Sequence, residues 1–284
     1  MRPKHWTKNF FVLAPIIFSG TFFQSGVFLR SAAAALLFCL ISSAAYLFND
    51  IMDLERDRLH PEKRLRPLAA GRVSVAAAWV LFILLALVSL TVSILLAWRF
   101  SVLLGCYLAI NIVYSLRLKQ VPILDVFCIS AGFILRVLAG GEVGGVFVSH
   151  WLLLCTMTLS LFLGFGKRRE EVANLGGNSF GQRPALEGYS LQFLDHAIST
   201  VATLTIVCYV LYVADPETSE FFGTRAVLLT SVFVLYGMFH YLGLILTHQK
   251  GGNPATILLS DRHILLACIG WGLTWAAIIL FKQV

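Results

Sequence analysis

Charged side chains are scarce in this chain. Asp, Glu, Lys and Arg make up 13% of its 284 residues against 58% hydrophobic, and the mean hydropathy is +0.81. Soluble domains carry about a quarter charged residues, so the composition excludes a soluble module and implies a polytopic membrane protein. Metal-ligand spacings of the zinc type are missing: the seven histidines form no HxxxH or HExxH pattern, which argues against a zinc site. The six cysteines form no CxxC, and all fall in apolar stretches, where a thiol acts as a small hydrophobe. Low-complexity segments, soluble modules and internal repeats are lacking too, so the chain reads as one integral-membrane domain, residues 1–284. A cleavable signal is not expected, because the first apolar stretch runs on for some twenty residues and Ser19-Gly20 is a poor cleavage site.

What is abundant is long apolar sequence. Nine stretches, near 10–29, 31–48, 73–98, 100–116, 122–138, 146–165, 197–214, 226–247 and 264–281, reach or approach the length needed to cross ~30 Å of hydrocarbon. The expected fold is therefore all-α, a bundle of about nine transmembrane helices. Arg136 interrupts the fifth stretch, and snorkelling to the outer interface is its expected role. With the N-terminus inside, 17 of the 22 Lys and Arg fall in cytoplasmic segments, while Arg30, Arg99, Arg225 and Lys282 fall outside. The positive-inside rule then sets a cytoplasmic N-terminus. The expected location is the inner (plasma) membrane, with the active site facing the cytoplasm. The net charge of +7 reads as topology plus an anionic substrate or lipid, with no nucleic acid as partner.

Against this background, the run from Asn49 to Pro61 stands out, because it sets acids at the end of an apolar span. Asp50, Asp53 and Asp57 lie at i, i+3 and i+7, which lines their carboxylates along one helical face with Asn49 beside them. Aligned carboxylates repel one another unless a hard divalent cation neutralises them, and Mg²⁺ is held by such acids together with waters and substrate phosphates. The run reads as a metal–diphosphate site at the bilayer surface. The competing explanation is an acidic membrane-exit helix solvated by headgroups and by Arg56, Arg58 and Lys63.

The inner segments 49–72, 167–196 and 248–263 are long and polar, whereas outer connections such as Leu29-Arg30 are minimal, so chemistry is expected at the cytoplasmic mouth. Pro61 and Pro67 stiffen a loop that holds Lys63 and Arg66 near the carboxylates, cations for one side of a diphosphate and metal for the other. Tyr114-Ser115-Leu116-Arg117-Leu118-Lys119 puts two cations at a span end, with Asp125 beyond them either pairing with Arg117 or Lys119 or binding substrate. Gly166-Lys167-Arg168-Arg169 suits a phosphate, and Glu170 and Glu171 either pair with these cations or complete a second metal site. Attraction to anionic lipid explains the same cluster without a substrate. Asp215-Pro216-Glu217-Thr218 looks like a solvated outer turn.

These strings resemble a family. Asn49-Asp50-x-x-Asp53-x-x-x-Asp57 is similar to the first aspartate-rich motif of the UbiA superfamily of intramembrane prenyltransferases, and the resemblance covers nearly the whole chain. A narrower match, to the decaprenyl-phosphate phosphoribosyltransferase branch, is carried by four strings. They are Arg2-Pro3-Lys4-His5-Trp6-Thr7-Lys8-Asn9, the run from Asp57 to Ala69, Tyr114 to Lys119 followed by Asp125, and Gly166 to Glu170. Members that transfer a prenyl group to an aromatic ring carry a second acidic motif at the inner end of the sixth span. Here that place reads Lys167-Arg168-Arg169-Glu170-Glu171, which fits a site holding more phosphate and argues against a prenyl diphosphate as electrophile.

The resemblance implies transfer of 5-phosphoribose from phosphoribosyl diphosphate to a polyprenyl phosphate, with release of diphosphate. In that reading Asp50, Asp53 and Asp57 are catalytic and, with Asn49, hold Mg²⁺. The implied substrate-binding residues are Lys8, Lys63, Arg66, Tyr114, Arg117, Lys119, Asp125, Lys167 and Arg168, without an assignment of each cation to a phosphate. The product would serve cell-wall arabinan synthesis where such a wall exists, and a homo-oligomer is compatible with the resemblance. Two alternatives remain open at this point: prenyl transfer to an aromatic or haem-like acceptor on the same scaffold, and a lipid-phosphate carrier. Acids gathered at one face instead of midplane, an odd number of spans and the absence of paired repeats speak against the carrier.

Overall fold

The structure is a computed structural model that describes residues 3–61, 63–174, 184–248, 257 and 260–282. Among the described residues it is helical, without strands, and eight helices are long and apolar enough to cross a membrane. The chain forms two compact units, residues 1–149 with 177–188 and residues 150–176 with 189–284.

The first unit opens on a 3₁₀ helix, Pro3–Leu13, followed by α1 (Ala14–Phe18), α2 (Ser25–Met52), α3 (Leu54–Leu59) and a 3₁₀ turn, Lys63–Leu65. Then come α4 (Val75–Leu96), α5 (Trp98–Leu116), a 3₁₀ turn at Leu118–Gln120 and α6 (Leu124–Gly144), and the 3₁₀ turn Pro184–Gly188 also belongs here. The second unit comprises α7 (His150–Ala173), α8 (Leu191–Ala214), α9 (Pro216–Phe222), a 3₁₀ turn at Arg225–Leu229, α10 (Thr230–His248) and α11 (Arg262–Lys282).

The nine apolar stretches thus become eight long helices and one shorter apolar helix, Trp6–Phe18. The boundary that moves most is the first. The composition of residues 10–29 predicts a single span, but the helix stops at Phe18, Gly20 turns the backbone at φ +72°, and Ser25–Leu29 joins α2. Tertiary contacts explain this. The indole of Trp6 donates to Ser43 at 3.2 Å and the amide of Asn9 to Ser42 at 3.3 Å, so the N-terminal segment lies along α2. It also abuts α6 at Gly140, where a Cβ would stand 1.9 Å from the Val12 carbonyl oxygen. Only a residue without a side chain permits that approach. With one of the nine stretches shortened in this way, span parity carries no weight against a carrier.

Helix α2 is the axis of the first unit. Its small residues Ala34, Ser42, Ser43, Ala44 and Ala45 are buried, which lets neighbouring backbones approach where no hydrophobic effect drives helices together. Phe38 packs with Phe100 and Tyr107 in the same core. Helix α4 turns Val80, Ile83, Leu84 and Leu87 outward, as a lipid-facing helix does. In the second unit the Tyr209 hydroxyl donates to Thr230 and accepts from the indoles of Trp271 and Trp275 at 2.6 and 3.1 Å, tying α8, α10 and α11.

Two expectations change. Arg136 does not snorkel: it is 4% exposed, donating from Nε to Asn9 Oδ1 at 2.8 Å, from Nη1 to the Gly132 carbonyl at 2.7 Å and from Nη2 to Tyr107 at 2.9 Å. The rings of Tyr107, Phe133 and Phe38 lie around its guanidinium. The weakly hydrated guanidinium tolerates burial when its donors and faces are occupied. The stretch from Asp215 is also more than a solvated turn. Asp215 caps α9 through the Glu217 amide and accepts the Trp151 indole at 2.9 Å.

Candidate active site

The acid-rich run does not form one continuous helix. α2 ends at Met52, and Asp53 sits at the joint with φ −96° and ψ 6° before α3 begins at Leu54. Backbone bonds still cross the joint, from Asp53 N–H to the Asn49 carbonyl at 3.0 Å and from Asp57 N–H to the Asp53 carbonyl at 2.8 Å. The Asp53 side chain makes no cap for α3. Its Oδ1 accepts Lys119 Nζ at 2.5 Å and its Oδ2 accepts the Asn49 amide at 3.1 Å. Asn49 in turn accepts the Ser115 hydroxyl at 3.2 Å.

Asp50 and Asp57 are met by one side chain. Arg66 Nη1 donates to Asp50 Oδ1 at 3.2 Å and also to Asp57 Oδ2. Leu68 explains why Arg66 returns to α2: it is buried against Ile51 and Ala78, pinning the loop between the ends of α2 and α4. The Pro67 carbonyl accepts the amide of Arg72 at 2.9 Å, and Gly71 supplies the positive φ of +72° that closes the turn. Lys63 lies in the 3₁₀ turn of this loop, its backbone amide directed at His60 Nδ1.

Lys119 reaches Asp53 because α5 stops at Leu116 and Arg117 breaks the helix with φ −136°. The chain then forms a tight 3₁₀ turn in which Lys119 is buried and Arg117 exposed. Next comes a γ-turn at Ile123, with φ +69° and Leu124 N–H on the Pro122 carbonyl at 2.8 Å, a conformation a β-branched residue adopts only under constraint. Asp125 follows, fully buried in the first turn of α6, where the helix dipole favours a negative charge. Tyr114 is half-buried on the last turn of α5, and Lys8 is exposed on the N-terminal 3₁₀ helix. The structure brings together Asn49, Asp50, Asp53, Asp57, Arg66 and Lys119 by direct bonds. Arg2 and Glu62 of the resembling strings, and Arg183 and Lys250 of the charge count, lie outside the described residues.

In the second unit the three consecutive cations divide. Lys167 is half-exposed, with Nζ 3.9 Å from Glu171, while Arg168 is almost wholly buried and paired with the same carboxylate. Arg169 is a tie between helices: Nε donates to Asp195 at 2.5 Å, and Nη1 and Nη2 to the carbonyls of Ile245 and Leu246 at 2.8 and 3.4 Å. Those carbonyls belong to the last turn of α10, whose acceptors have no partner within the helix. Sequence reading gave Asp195 no role. Its only signal was a carboxylate facing a basic cluster across a loop.

The acids of the first unit fit a hard cation in type, since all their donors are carboxylate or amide oxygen. Among the described residues no group of three or more His, Cys, Asp or Glu forms a ready-made metal cage. Mg²⁺ needs only one or two carboxylates, with waters and substrate phosphates completing its shell. The donor set therefore suits an ion that arrives with a phosphorylated ligand.

A multi-span helical membrane protein with an acid–cation cluster where α2, α3 and the turn after α5 meet is the class these features define. Residues 11–256 match the UbiA prenyltransferase family, and the chain belongs to it. The chain is 32% identical to the decaprenyl-phosphate phosphoribosyltransferase of Mycolicibacterium smegmatis, over 99% of this chain and 92% of that protein. It is 32% identical to the enzyme of the same name from Corynebacterium glutamicum, over 95% and 82%. A UbiA homolog from Archaeoglobus fulgidus, solved bound to DMAPP and Mg²⁺, has a TM-score of 0.70 at 18% identity, covering 99% of this chain and 96% of that one. At that identity the likeness establishes the fold.

Proposed function

We propose that the chain transfers 5-phosphoribose from phosphoribosyl diphosphate to a polyprenyl phosphate of the decaprenyl type, releasing diphosphate. The observation that carries this reading is the near full-length similarity to decaprenyl-phosphate phosphoribosyltransferases. It is supported by Lys167 and Arg168 standing where, by the resemblance, an aromatic prenyltransferase has acids.

In this reading Asn49, Asp50, Asp53 and Asp57 hold Mg²⁺, which when bound stabilises the charge developing on the leaving diphosphate. Lys63 and Arg66 neutralise its outer oxygens, and Lys8, Tyr114, Arg117, Lys119 and Asp125 contribute to substrate binding. Lys167 and Arg168 of the second unit are assigned to phosphate by residue type. An oxygen of the lipid phosphate forms the new bond to the anomeric carbon as the bond to diphosphate breaks, and the electron pair leaves with the diphosphate. The second pKa of a phosphate monoester is ~6, so the nucleophile is mostly dianionic at neutral pH and needs no general base. Lys and Arg around the phosphates stabilise charge in a partly dehydrated site.

The reading places the protein in the inner membrane with its site on the cytoplasmic side, where a charged donor is made. The single domain of residues 1–284 and a homo-oligomeric assembly are part of the same proposal. Its test is release of diphosphate from phosphoribosyl diphosphate by purified protein. Release should require both Mg²⁺ and added polyprenyl phosphate. Release that ignores the lipid would contradict group transfer.

A further inference from the structure

The carboxylates at the end of α2 already have counter-ions within the chain. Both oxygens of Asp53 are engaged, one by Lys119 and one by Asn49. A single Arg66 nitrogen bridges Asp50 and Asp57 as a cation would. Lys119 is 4% exposed, so its ammonium has exchanged water for Asp53 instead of standing in solvent. These bonds set two cations against three carboxylates, so most of their charge is balanced from within the chain. A divalent ion entering alone would meet Arg66 and Lys119 on the oxygens it needs. A diphosphate entering alone would meet three carboxylates. The metal and the diphosphate together satisfy both sets: the acids turn to the metal, and the cations turn to phosphate oxygens, where charge-assisted bonds are strong.

Building on the metal–diphosphate reading above, we infer that Arg66 and Lys119 are exchangeable counter-ions. They hold Asp50, Asp53 and Asp57 when no ligand is present and pass to the diphosphate when the metal–diphosphate complex binds. Metal and diphosphate then bind synergistically, and the bare site resists stray divalent ions. Asn49 supports the exchange. Because Ser115 holds its carbonyl oxygen and Asn49 holds the far oxygen of Asp53, Asp53 keeps its position as Lys119 leaves. The same exchange explains how a site rich in cations serves an acidic metal motif without permanent self-neutralisation.

Equilibrium dialysis of the purified full chain in detergent micelles tests this without turnover. Radiolabelled Mn²⁺ and radiolabelled pyrophosphate are the probes, each measured alone and together. In the wild type each probe should raise the affinity of the other by the same factor, because coupling is reciprocal, and that factor should be at least about tenfold. Lys119→Met should bind Mn²⁺ alone roughly tenfold more tightly than wild type, the scale of one charge-assisted bond, and should lose most of the synergy. Lys119→Arg, which keeps the cation, should restore synergy in part. Arg66→Gln, at a more exposed position, carries the same prediction if Lys119→Met does not give a monodisperse protein.

Wild-type protein that binds Mn²⁺ alone tightly, with pyrophosphate adding less than about twofold, would overturn the exchange and leave the metal site standing. Variants that bind Mn²⁺ alone no better than wild type would do the same. Wild-type protein that binds neither probe under any condition would remove the metal–diphosphate reading itself, and the inference with it.

Discussion

Lys119 donates to Asp53 across 66 positions of sequence, joining the turn after α5 to the joint between α2 and α3 at 2.5 Å. The bond makes the acid motif and the basic string that follows Tyr114 parts of one cluster. Arg66 does the same from the other side, across 16 positions to Asp50. In the proposed reading, truncating an acid of this cluster should therefore affect both metal and phosphate binding.

Asp50→Ala and Asp53→Ala should each lower turnover on the order of a hundredfold or more, as loss of a transition-state charge partner does. Asp50→Ala should still insert and purify as the wild type does, whereas Asp53→Ala also strands the buried Lys119 ammonium and should melt at a lower temperature. Chelating divalent ions should stop the wild-type reaction, and Mg²⁺ should restore it. Full activity in EDTA would remove the metal from the account.

Lys167 and Arg169, two residues apart, should separate cleanly. Lys167→Ala should raise KM or lower kcat/KM for a phosphate-bearing substrate roughly ten- to a hundredfold, at unchanged thermal stability. Arg169→Ala should instead lower the melting temperature in detergent. It removes the partner of half-exposed Asp195 and strands the helix-end carbonyls of Ile245 and Leu246, a buried unsatisfied group costing about 1–3 kcal/mol. Equal effects of both on stability and neither on kinetics would make the basic cluster a topology signal only.

Arg136→Leu should destabilise the first unit, because Asn9, Tyr107 and the Gly132 carbonyl lose their donor together. Arg136→Lys should rescue little, since an ammonium lacks the planar fork that reaches three acceptors. The check is a thermal melt read by tryptophan fluorescence. Wild-type melting of both variants would return Arg136 to the interface role its sequence suggests.

If the site faces the cytoplasm, as proposed, it draws its donor from that side. Sealed inside-out vesicles should convert external phosphoribosyl diphosphate, and right-side-out vesicles should do so only after permeabilisation. The uneven division of Lys and Arg between loops underlies this expectation. Activity confined to sealed right-side-out vesicles would reverse the topology.

The helical bundle was legible because apolar runs of span length leave few other folds. The acid motif was legible because its spacing is local. What the spacing could not show is the break at Asp53, where Lys119, from a turn 66 positions away, and Asn49 hold its carboxylate. Arg136 was misplaced for a related reason: its partners Asn9 and Tyr107 come from distant segments, so its depth in a span said nothing of the polar niche around it. The first span was overcounted because apolar composition alone does not reveal that Trp6 and Asn9 bond into α2. Arg169 and Asp195 show the converse, a basic run whose members differ in role once the helices pack.

Mass spectrometry of the lipid made by the purified protein tests the central claim most directly. The reaction would contain Mg²⁺, decaprenyl phosphate and either phosphoribosyl diphosphate or a prenyl diphosphate with an aromatic acceptor. The account predicts a lipid heavier than decaprenyl phosphate by one phosphoribosyl group, formed only with phosphoribosyl diphosphate. A prenylated aromatic product, with no phosphoribosylated lipid, would contradict it.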